Sequence, residues 1–465
     1  MNYFYFFFFL LLASFILIKP LAKIISNWII ASEKLTKTGL LTVLIGVVCI
    51  VFSIKGLEAY GAENEFWYER TWQVITFSLG ILLVLRGLVI ILFLNSIKNN
   101  LTFFMKHYYK FAIPVSIFLT FISFVAVSND YIGPQKDISS SCTAEKNIRV
   151  ICGFSNPEDI VITPDNKFLL MSEFGGIGPY EDQKPGFFAL LDLETEEKII
   201  PTISIAENNW GDPECKRGIG DKYGPHGIDL IKRKDGSFQL GVISHYPNET
   251  IEMFELIKIN NEWSLIWRGC INVPYEYYFN DISLKKDGKF FASHMYKRDI
   301  TLNEWLITSL LKSNSGFLVK WENNTFRKIP NTEGSGPNGI AFDEEAGLMY
   351  INYNQGDKIV SFDINKNKII NSQYIEAPDN PYIDGIHIWI TSLDFQPNDF
   401  GECEFRDSCS LPFSIYKLDR ESLKIVKKYS FSKSIFGLPT VAVPVEDEVY
   451  MGSFHSDRIG VFQHN

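Results

Sequence analysis

Short polar groups recur through the second part of the chain, and each stands directly before an apolar run. In chain order they are Pro157-Glu158-Asp159, Pro225-His226-Gly227, Phe279-Asn280-Asp281, Pro337-Asn338-Gly339 and Pro378-Asp379-Asn380. Carboxylate and amide oxygens are hard ligands, so this set suits calcium better than zinc or copper. A single Asn in such a place is ordinarily a turn former, but repetition in register favours one shared site.

The apolar runs predict the strands that position these groups. Each run is followed by a polar turn and a second apolar run, as at 228–231, 234–237 and 238–244. Further hairpins follow, such as 186–191 with 198–203 and 358–363 with 368–374. Six such units, several with Asp-Gly turns, predict an all-β, six-bladed β-propeller over residues 150–465. An all-β sandwich is the alternative.

In a propeller, the innermost strand of each blade begins at the central channel. The polar groups therefore place Glu158, His226, Asn280, Asn338 and the Asp379-Asn380 pair around one axis. The sixth unit, Leu438-Pro439-Thr440, adds neither a charge nor an amide.

Residues 1–128 are dominated by four apolar stretches, 4–18, 39–54, 71–94 and 111–128. They predict a bundle of about four transmembrane helices, although the first stretch could be a signal peptide. Lysines concentrate in the loops 19–38 and 95–110, whereas the loop 55–70 is acidic. Because basic loops stay on the cytoplasmic side, the prediction is an integral membrane protein. Residues 129–149 would then link the bundle to a propeller on the periplasmic, lumenal or extracellular side.

Cysteine usage agrees with export, since six of the seven cysteines follow the last apolar stretch. The expected disulfides are Cys142 with Cys152, Cys403 with Cys409, and Cys215 with Cys270, with other pairings left open. The formal net charge of −10, without a basic patch, argues against a nucleic-acid partner.

Two features stand apart from these patterns. Arg86 interrupts the third apolar stretch, and it either has a function there or faces another helix. Residues 301–313 carry Leu302, Trp305, Leu306 and Leu310 on one helical face. This segment predicts an inserted amphipathic helix, which is either a lid, a membrane-surface element or a helix packed on the propeller rim.

Taken in order, the polar groups resemble those of the paraoxonase family of calcium-dependent lactonases and arylesterases over residues 150–462. The further strings that carry the resemblance are Ser244-His245, Pro439-Thr440-Val441-Ala442 and Met451-Gly452-Ser453-Phe454-His455. The resemblance implies two calcium ions. A catalytic ion would be held by Glu158, Asn280, Asn338, Asp379 and Asn380. A structural ion would be held by Asp159, Asp281 and the backbone carbonyl of Ile228.

The resemblance also implies that His226 and His245 form the family's proposed proton-relay dyad. Because an imidazole with a pKa near neutrality can take a proton from water, His226 is the candidate base and His245 its orienting partner, with Asp379 as a rival base or nucleophile. The expected function is therefore calcium-dependent hydrolysis of lactones or related carboxylic esters, in a protein whose other partner is a lipid membrane. Ser293-His294 replaces the family's Asp-His pair, so the active-site wall should differ. A non-catalytic, calcium-stabilised binding propeller and a strictosidine-synthase-like enzyme are the alternatives. The sequence predicts no oligomeric state.

Overall fold

The computed structural model describes residues 2–31, 35–58, 71–93, 103–127, 142–144, 147–176, 178–179, 183–393, 411–431 and 434–464. They divide into two compact units. One is built from helices and the other is built almost wholly from β-strands.

The helices of the first unit overlap all four apolar stretches. They are α1 (Asn2–Ile16), α2 (Lys19–Ala31), α3 (Leu35–Glu58), α4 (Thr71–Leu92) and α5 (Tyr108–Val127). Within the described residues, two segments are long and apolar enough to cross a membrane, Val74–Leu92 and Tyr108–Ala126. The apolar parts of α1 and α3, Phe4–Ile16 and Lys37–Ser53, are shorter. Arg86 lies exposed on α4.

Helix α2 corrects the expectation of a plain loop over 19–38. Leu21, Ile24, Ile25 and Trp28 follow one another at helical spacing, which is the pattern of an amphipathic helix. Pro20 falls in the first turn, where its missing N–H costs no hydrogen bond. The lysines that mark this segment as a loop are equally compatible with the polar side of a helix.

Helices α3 and α4 pack closely against each other through two glycine pairs. A Cβ atom on Gly46 would lie 2.7 Å from the Gly80 carbonyl oxygen, and one on Gly87 would lie 2.7 Å from that of Gly39. Small residues allow such close backbone approach between apolar helices. The other prominent contact in this unit joins α1 to α5, where Ser116 Oγ donates to the Ala13 carbonyl at 3.0 Å.

The second unit is a six-bladed β-propeller, as predicted. The strands of blades 1 to 3 are β2 (Pro157–Ile162), β3 (Phe168–Glu173), β4 (Phe187–Asp192), β5 (Lys198–Ile199), β6 (Thr202–Ile205), β7 (Pro225–Lys232), β8 (Phe238–Ser244), β9 (Thr250–Ile259), β10 (Glu262–Asn272), β11 (Phe279–Leu284), β12 (Phe290–His294), β13 (Phe317–Glu322) and β14 (Thr325–Lys328). Those of blades 4 to 6 are β15 (Pro337–Asp343), β16 (Leu348–Tyr353), β17 (Lys358–Asp363), β18 (Lys368–Tyr374), β19 (Pro378–Asp384), β20 (His387–Leu393), β21 (Phe413–Asp419), β22 (Ile425–Phe431), β23 (Pro439–Val445), β24 (Glu448–Ser453) and β25 (Arg458–Gln463).

Two strands join a blade other than the one that sequence order suggests. Strand β6 leaves blade 1 and pairs in parallel with β10 of blade 2, so the expected hairpin of 186–191 with 198–203 is wrong in its second half. Pro201 separates β5 from β6, and a proline cannot donate the hydrogen bond that would continue the pairing. Strand β1 (Arg149–Cys152) completes blade 6 by antiparallel pairing with β25.

The apolar core lies between neighbouring blades. Leu170 and Phe188 of blade 1, for example, are buried against Val242 and Phe254 of blade 2. The disulfides Cys142–Cys152 and Cys215–Cys270 are present as predicted. Cys403 and Cys409 lie outside the described residues.

The inserted helix, α6 (Leu302–Leu311), lies between β12 and β13 of blade 3. It starts with a capping box, in which the side chains and backbone N–H groups of Thr301 and Glu304 bond reciprocally. None of its residues is buried. Its leucines are exposed, with Leu310 70% accessible, whereas Trp305 packs against the propeller residues Tyr278, Met295 and Tyr296.

Candidate functional site

The first strand of every blade contacts the first strands of the two neighbouring blades, so the six strands form a closed ring. Each of them shows a register irregularity near its beginning, and the affected segments are 157–159, 225–228, 279–282, 337–340, 378–381 and 439–442. A β-bulge bends a strand and redirects its side chains. The predicted site residues Glu158, His226, Asn280, Asn338 and Asp379 all stand within these segments.

Two glycines explain how closely the blades approach at this ring. A Cβ atom on Gly339 would lie 2.4 Å from Asn380 Cα and 2.6 Å from Asn380 Oδ1. One on Gly227 would lie 2.6 Å from the backbone oxygen of Asn280. Glycine next to His226 and next to Asn338 is therefore a steric requirement, and it brings side chains of adjacent blades together.

The five residues of the predicted catalytic calcium set are all buried. Asn380 Nδ2 donates to Glu158 Oε1 at 3.2 Å, and Asn280 Nδ2 lies 3.7 Å from Met295 Sδ. Three oxygens of the set are buried without a hydrogen-bond partner, Glu158 Oε2, Asn338 Oδ1 and Asn380 Oδ1. Because a buried oxygen without a partner is costly, these atoms fit a bound cation that accepts their lone pairs.

The electrostatics of the channel agree with this reading. Burial, together with the charges of Asp159, Asp379 and Asp281, raises the pKa of Glu158 well above its usual range. Burial and the charge of Asp159 also raise the pKa of Asp379. Like charges crowded in a low-dielectric site disfavour ionisation, and a divalent cation would relieve that repulsion.

The set depends on amide oxygens as much as on carboxylates. In the part of the chain that the structure describes, no three His, Cys, Asp or Glu side chains converge as a metal-binding group. Asn280, Asn338 and Asn380 would have to supply the remaining ligands, which is usual for calcium and unusual for zinc.

The carboxylates of the predicted structural calcium site already accept backbone hydrogen bonds. Asp159 accepts from Ile228 N at 2.7 Å and from Ile160 N at 2.9 Å. Asp281 accepts from Ile340 N and Ile282 N, both at 2.7 Å. Each carboxylate therefore joins its own blade to another, and burial raises the pKa of Asp159 to about 7. Each carboxylate oxygen retains a second lone pair, so it can still coordinate an ion while it accepts these hydrogen bonds.

The two histidines of the predicted dyad are adjacent and buried. His226 Nδ1 lies 3.0 Å from His245 Nε2, and His226 Nε2 lies 3.7 Å from Glu158 Oε1. The Phe174 ring stacks on the His226 ring with a centroid distance of 4.5 Å. Burial lowers the pKa of His226 well below its usual value, with a smaller contribution from His245. Burial therefore favours the neutral form of His226, in which one ring nitrogen carries no proton.

Two polar residues at this site escape prediction from sequence. Glu249 accepts from His245 Nδ1, with distances of 2.8 and 3.0 Å to its two oxygens. Asn352 of β16 donates to the Asp379 carbonyl, and its own Oδ1 is buried without a hydrogen-bond partner. The register of the β8–β9 hairpin could have identified Glu249. Ser244 pairs with Thr250, so the loop between them begins at His245 and ends at Glu249.

The sixth blade closes the ring with a hydroxyl group. Thr440 Oγ1 donates to the Glu158 carbonyl, while the Thr440 carbonyl accepts from Thr391 Oγ1 at 3.0 Å. Thr440 thus joins blade 6 to the first strand of blade 1 and to the second strand of blade 5.

The propeller is similar in structure to several solved proteins at low sequence identity. A luciferin-regenerating enzyme is 12% identical with a TM-score of 0.41, and the similarity covers 68% of this chain and 95% of that one. The periplasmic gluconolactonase of Pseudomonas aeruginosa is 12% identical with a TM-score of 0.40, covering 67% and 82%.

Sequence comparison gives a more specific result. Serum paraoxonase/arylesterase 1 of Rattus norvegicus is 26% identical over 169 residues, 36% of this chain and 43% of that protein. The same protein of Mus musculus is 26% identical over 152 residues, 32% of this chain and 40% of that protein. The chain thus spans less than half the length of these curated relatives. The model of the Arylesterase family matches residues 142–453, most of the chain and nearly the whole propeller, so the protein belongs to the arylesterase family.

Proposed function

We propose that this protein is a calcium-dependent hydrolase of lactones or related carboxylic esters. The observation that carries the proposal is the group of buried, unpartnered oxygens at the channel, beside the hydrogen-bonded pair His226 and His245. A purely structural core would satisfy those oxygens with protein donors. Membership of the arylesterase family supports ester chemistry at this position.

Glu158, Asn280, Asn338, Asp379 and Asn380 would hold the catalytic ion. Bound there, calcium would polarise the ester carbonyl and stabilise the negative charge that develops as water adds. Asp159, Asp281 and the Ile228 carbonyl would hold a second, structural ion. That ion would add to the hydrogen bonds by which the two carboxylates already connect neighbouring blades.

His226 is the proposed general base. Its Nε2 atom faces the Glu158 side of the channel, and its other ring nitrogen is bonded to His245. A water molecule placed between Nε2 and the ester carbonyl would lose its proton to His226 as it attacks. Asp379 as the base is the competing assignment, and its place in the ligand set argues against that role.

We also infer that the helical unit crosses a membrane four times, with the propeller on the non-cytoplasmic side. Two segments have the length and apolar composition of a span. Many apolar side chains of α1, α3, α4 and α5 are exposed, for example Leu44, Val51 and Phe121. The two disulfides of the propeller fit an oxidising compartment. The lysine-rich segments 19–38 and 95–110 would then face the cytoplasm.

The test is hydrolysis of a panel of lactones and aryl esters by the full-length chain in detergent, with calcium, after chelation, and in Asp379→Ala. The matched control is Asp384→Ala, which removes an exposed carboxylate from the same strand. We expect chelation and Asp379→Ala to lower turnover by about 100-fold or more. Asp384→Ala should keep the turnover of the unmodified protein. Calcium that raises the melting temperature without turnover of any substrate would favour the non-catalytic binding propeller.

A further inference from the structure

Glu249, His245 and His226 form one linear hydrogen-bond chain that ends at the channel. Glu249 Oε2 lies 2.8 Å from His245 Nδ1, His245 Nε2 lies 3.0 Å from His226 Nδ1, and His226 Nε2 lies on the Glu158 side. All three side chains are buried, with Glu249 7% accessible. Water therefore has little access to any of these bonds.

When both rings are neutral, the chemistry of the first partner fixes the direction of every bond in the chain. An ionised carboxylate only accepts hydrogen bonds, so His245 Nδ1 must carry a proton. A neutral His245 then has a bare Nε2, which requires a proton on His226 Nδ1. A neutral His226 in turn has a bare Nε2, and that nitrogen is the one next to the channel.

We propose that Glu249 is a positioning residue that sets the tautomers of both histidines and leaves His226 Nε2 free to accept a proton. This inference rests on the proposed function, because it assigns a direction to the same general base. Without the carboxylate, the opposite arrangement becomes available, in which His245 Nε2 donates to His226 and His226 Nε2 carries a hydrogen. That arrangement has no free lone pair at the channel.

The surroundings of Glu249 hold its carboxylate in the accepting role. Gln183 Nε2 donates to Glu249 Oε1 at 2.9 Å and to the Tyr278 hydroxyl at 3.1 Å. The Tyr278 hydroxyl also accepts from Gly178 N at 3.1 Å, and the Tyr278 ring lies 5.0 Å from the His245 ring. The amide of His245 donates to the Gly224 carbonyl at 2.9 Å, which fixes the backbone beside His226.

The experiment is ¹⁵N NMR of the full-length chain in detergent, labelled on its seven histidines. His226→Gln and His245→Gln assign the resonances. In the unmodified protein we expect both rings to have a protonated Nδ1 and a bare Nε2. In Glu249→Ala, a signal for protonated Nε2 should appear on both rings, and kcat should fall about 10–100-fold with KM nearly unchanged.

Glu249→Gln serves as the conservative variant, since its amide oxygen can still accept from His245 Nδ1, and it should retain more activity than Glu249→Ala. Glu262→Ala, which removes an exposed carboxylate at the start of β10 of the same blade, should change neither spectrum nor kcat. If Glu249→Ala does not fold, the spectra of the unmodified protein and of Glu249→Gln still test which nitrogen of each ring carries the proton. A protonated His226 Nε2 in the unmodified protein overturns the proposal.

The spectra and the kinetics separate two kinds of failure. If no substrate is hydrolysed but the tautomers shift in Glu249→Ala, the proposed function fails, while the role of Glu249 in setting the tautomers is supported. If hydrolysis is present but Glu249→Ala changes neither tautomers nor kcat, the positioning role of Glu249 is wrong, while the proposed hydrolase function stands.

Discussion

Asn338 allows a direct test of whether the unpartnered channel oxygens are ligands. Its Oδ1 has no hydrogen-bond partner, so Asn338→Ala should cost little stability in chelator beyond the loss of its bond to Asp379. In calcium, the variant should lose an oxygen ligand and bind the ion about 10–100-fold more weakly. Calcium titrations followed by melting temperature measure both effects.

Asn371→Ala is the control for that experiment, since Asn371 Nδ2 donates to the Glu421 carbonyl at an exposed site away from the channel. A calcium-induced rise in melting temperature that is the same in Asn338→Ala and in Asn371→Ala would remove Asn338 from the ligand set.

Residues of the channel could be predicted from sequence where they repeat from blade to blade. Glu158, Asn280 and Asn338 stand at matching positions before matching turns, and the structure brings them into one ring. Glu249 and Asn352 occur once each, in a hairpin loop and on a second strand. The hairpin register places Glu249 in the same loop as His245, but the approach of Asn352 to Asp379 depends on blade packing, which no local pattern contains.

At the scale of elements, α6 is the segment with the clearest disagreement between composition and packing. Its leucines are exposed, so Leu310→Ser should change the free energy of unfolding by less than about 0.5 kcal/mol. Leu318→Ser, on the buried strand β13, should cost about 2–5 kcal/mol. Chemical denaturation of the two variants measures the difference.

A loss above about 1 kcal/mol in Leu310→Ser would instead show that α6 packs on the propeller rim. An unchanged stability would confine the contact of α6 with the propeller to the side of Trp305 and leave its exposed leucines to serve as a lid or as a membrane-surface element.

The inner hairpins could be predicted well because their apolar alternation and turn residues are local signals. The turns also contain residues with positive φ, such as Gly236 and Gly288, which favour glycine. The assignment of β6 could not be predicted, because its partner β10 lies far along the chain and the pairing is parallel. Helix α2 could not be predicted from its lysines, because lysines are common both in loops and on the polar side of a helix.

At the scale of the whole molecule, acid sensitivity should depend on buried histidines. Burial lowers the pKa of His294 to about 4, and its Nδ1 accepts from Tyr278 N at 3.0 Å. The unfolded chain binds this proton near pH 6.5 and the folded protein binds it only near pH 4. The stabilisation from His294 is therefore complete above about pH 6.5 and is lost as the pH falls towards 4.

The measurement is the free energy of unfolding of the parent and of His294→Gln between pH 7 and pH 4.5. Buried carboxyls with raised pKa values act in the opposite direction, so the difference between the two proteins is the informative quantity. We expect the parent to lose about 1–3 kcal/mol relative to the variant across this range. A difference in unfolding free energy between parent and variant that stays constant with pH would contradict the lowered pKa of His294.

The six-bladed architecture itself could be predicted, since blade number follows from the number of repeated units. The closure of the ring by β1 could not be predicted, because β1 lacks the repeat pattern and pairs with β25, at the opposite end of the propeller sequence.

That closure has a consequence for the order of events during synthesis. Arg149 of β1 and Glu448, which bond across the closing blade, are 299 residues apart in sequence. At about 5–20 residues per second, β1 waits roughly 15–60 s after its own translation for the rest of its sheet. Throughout that time it is a strand with unpaired backbone groups, open to association with other chains. Strand β1 therefore stops being a site for aggregation only when the last strands of the chain have been translated and pair with it.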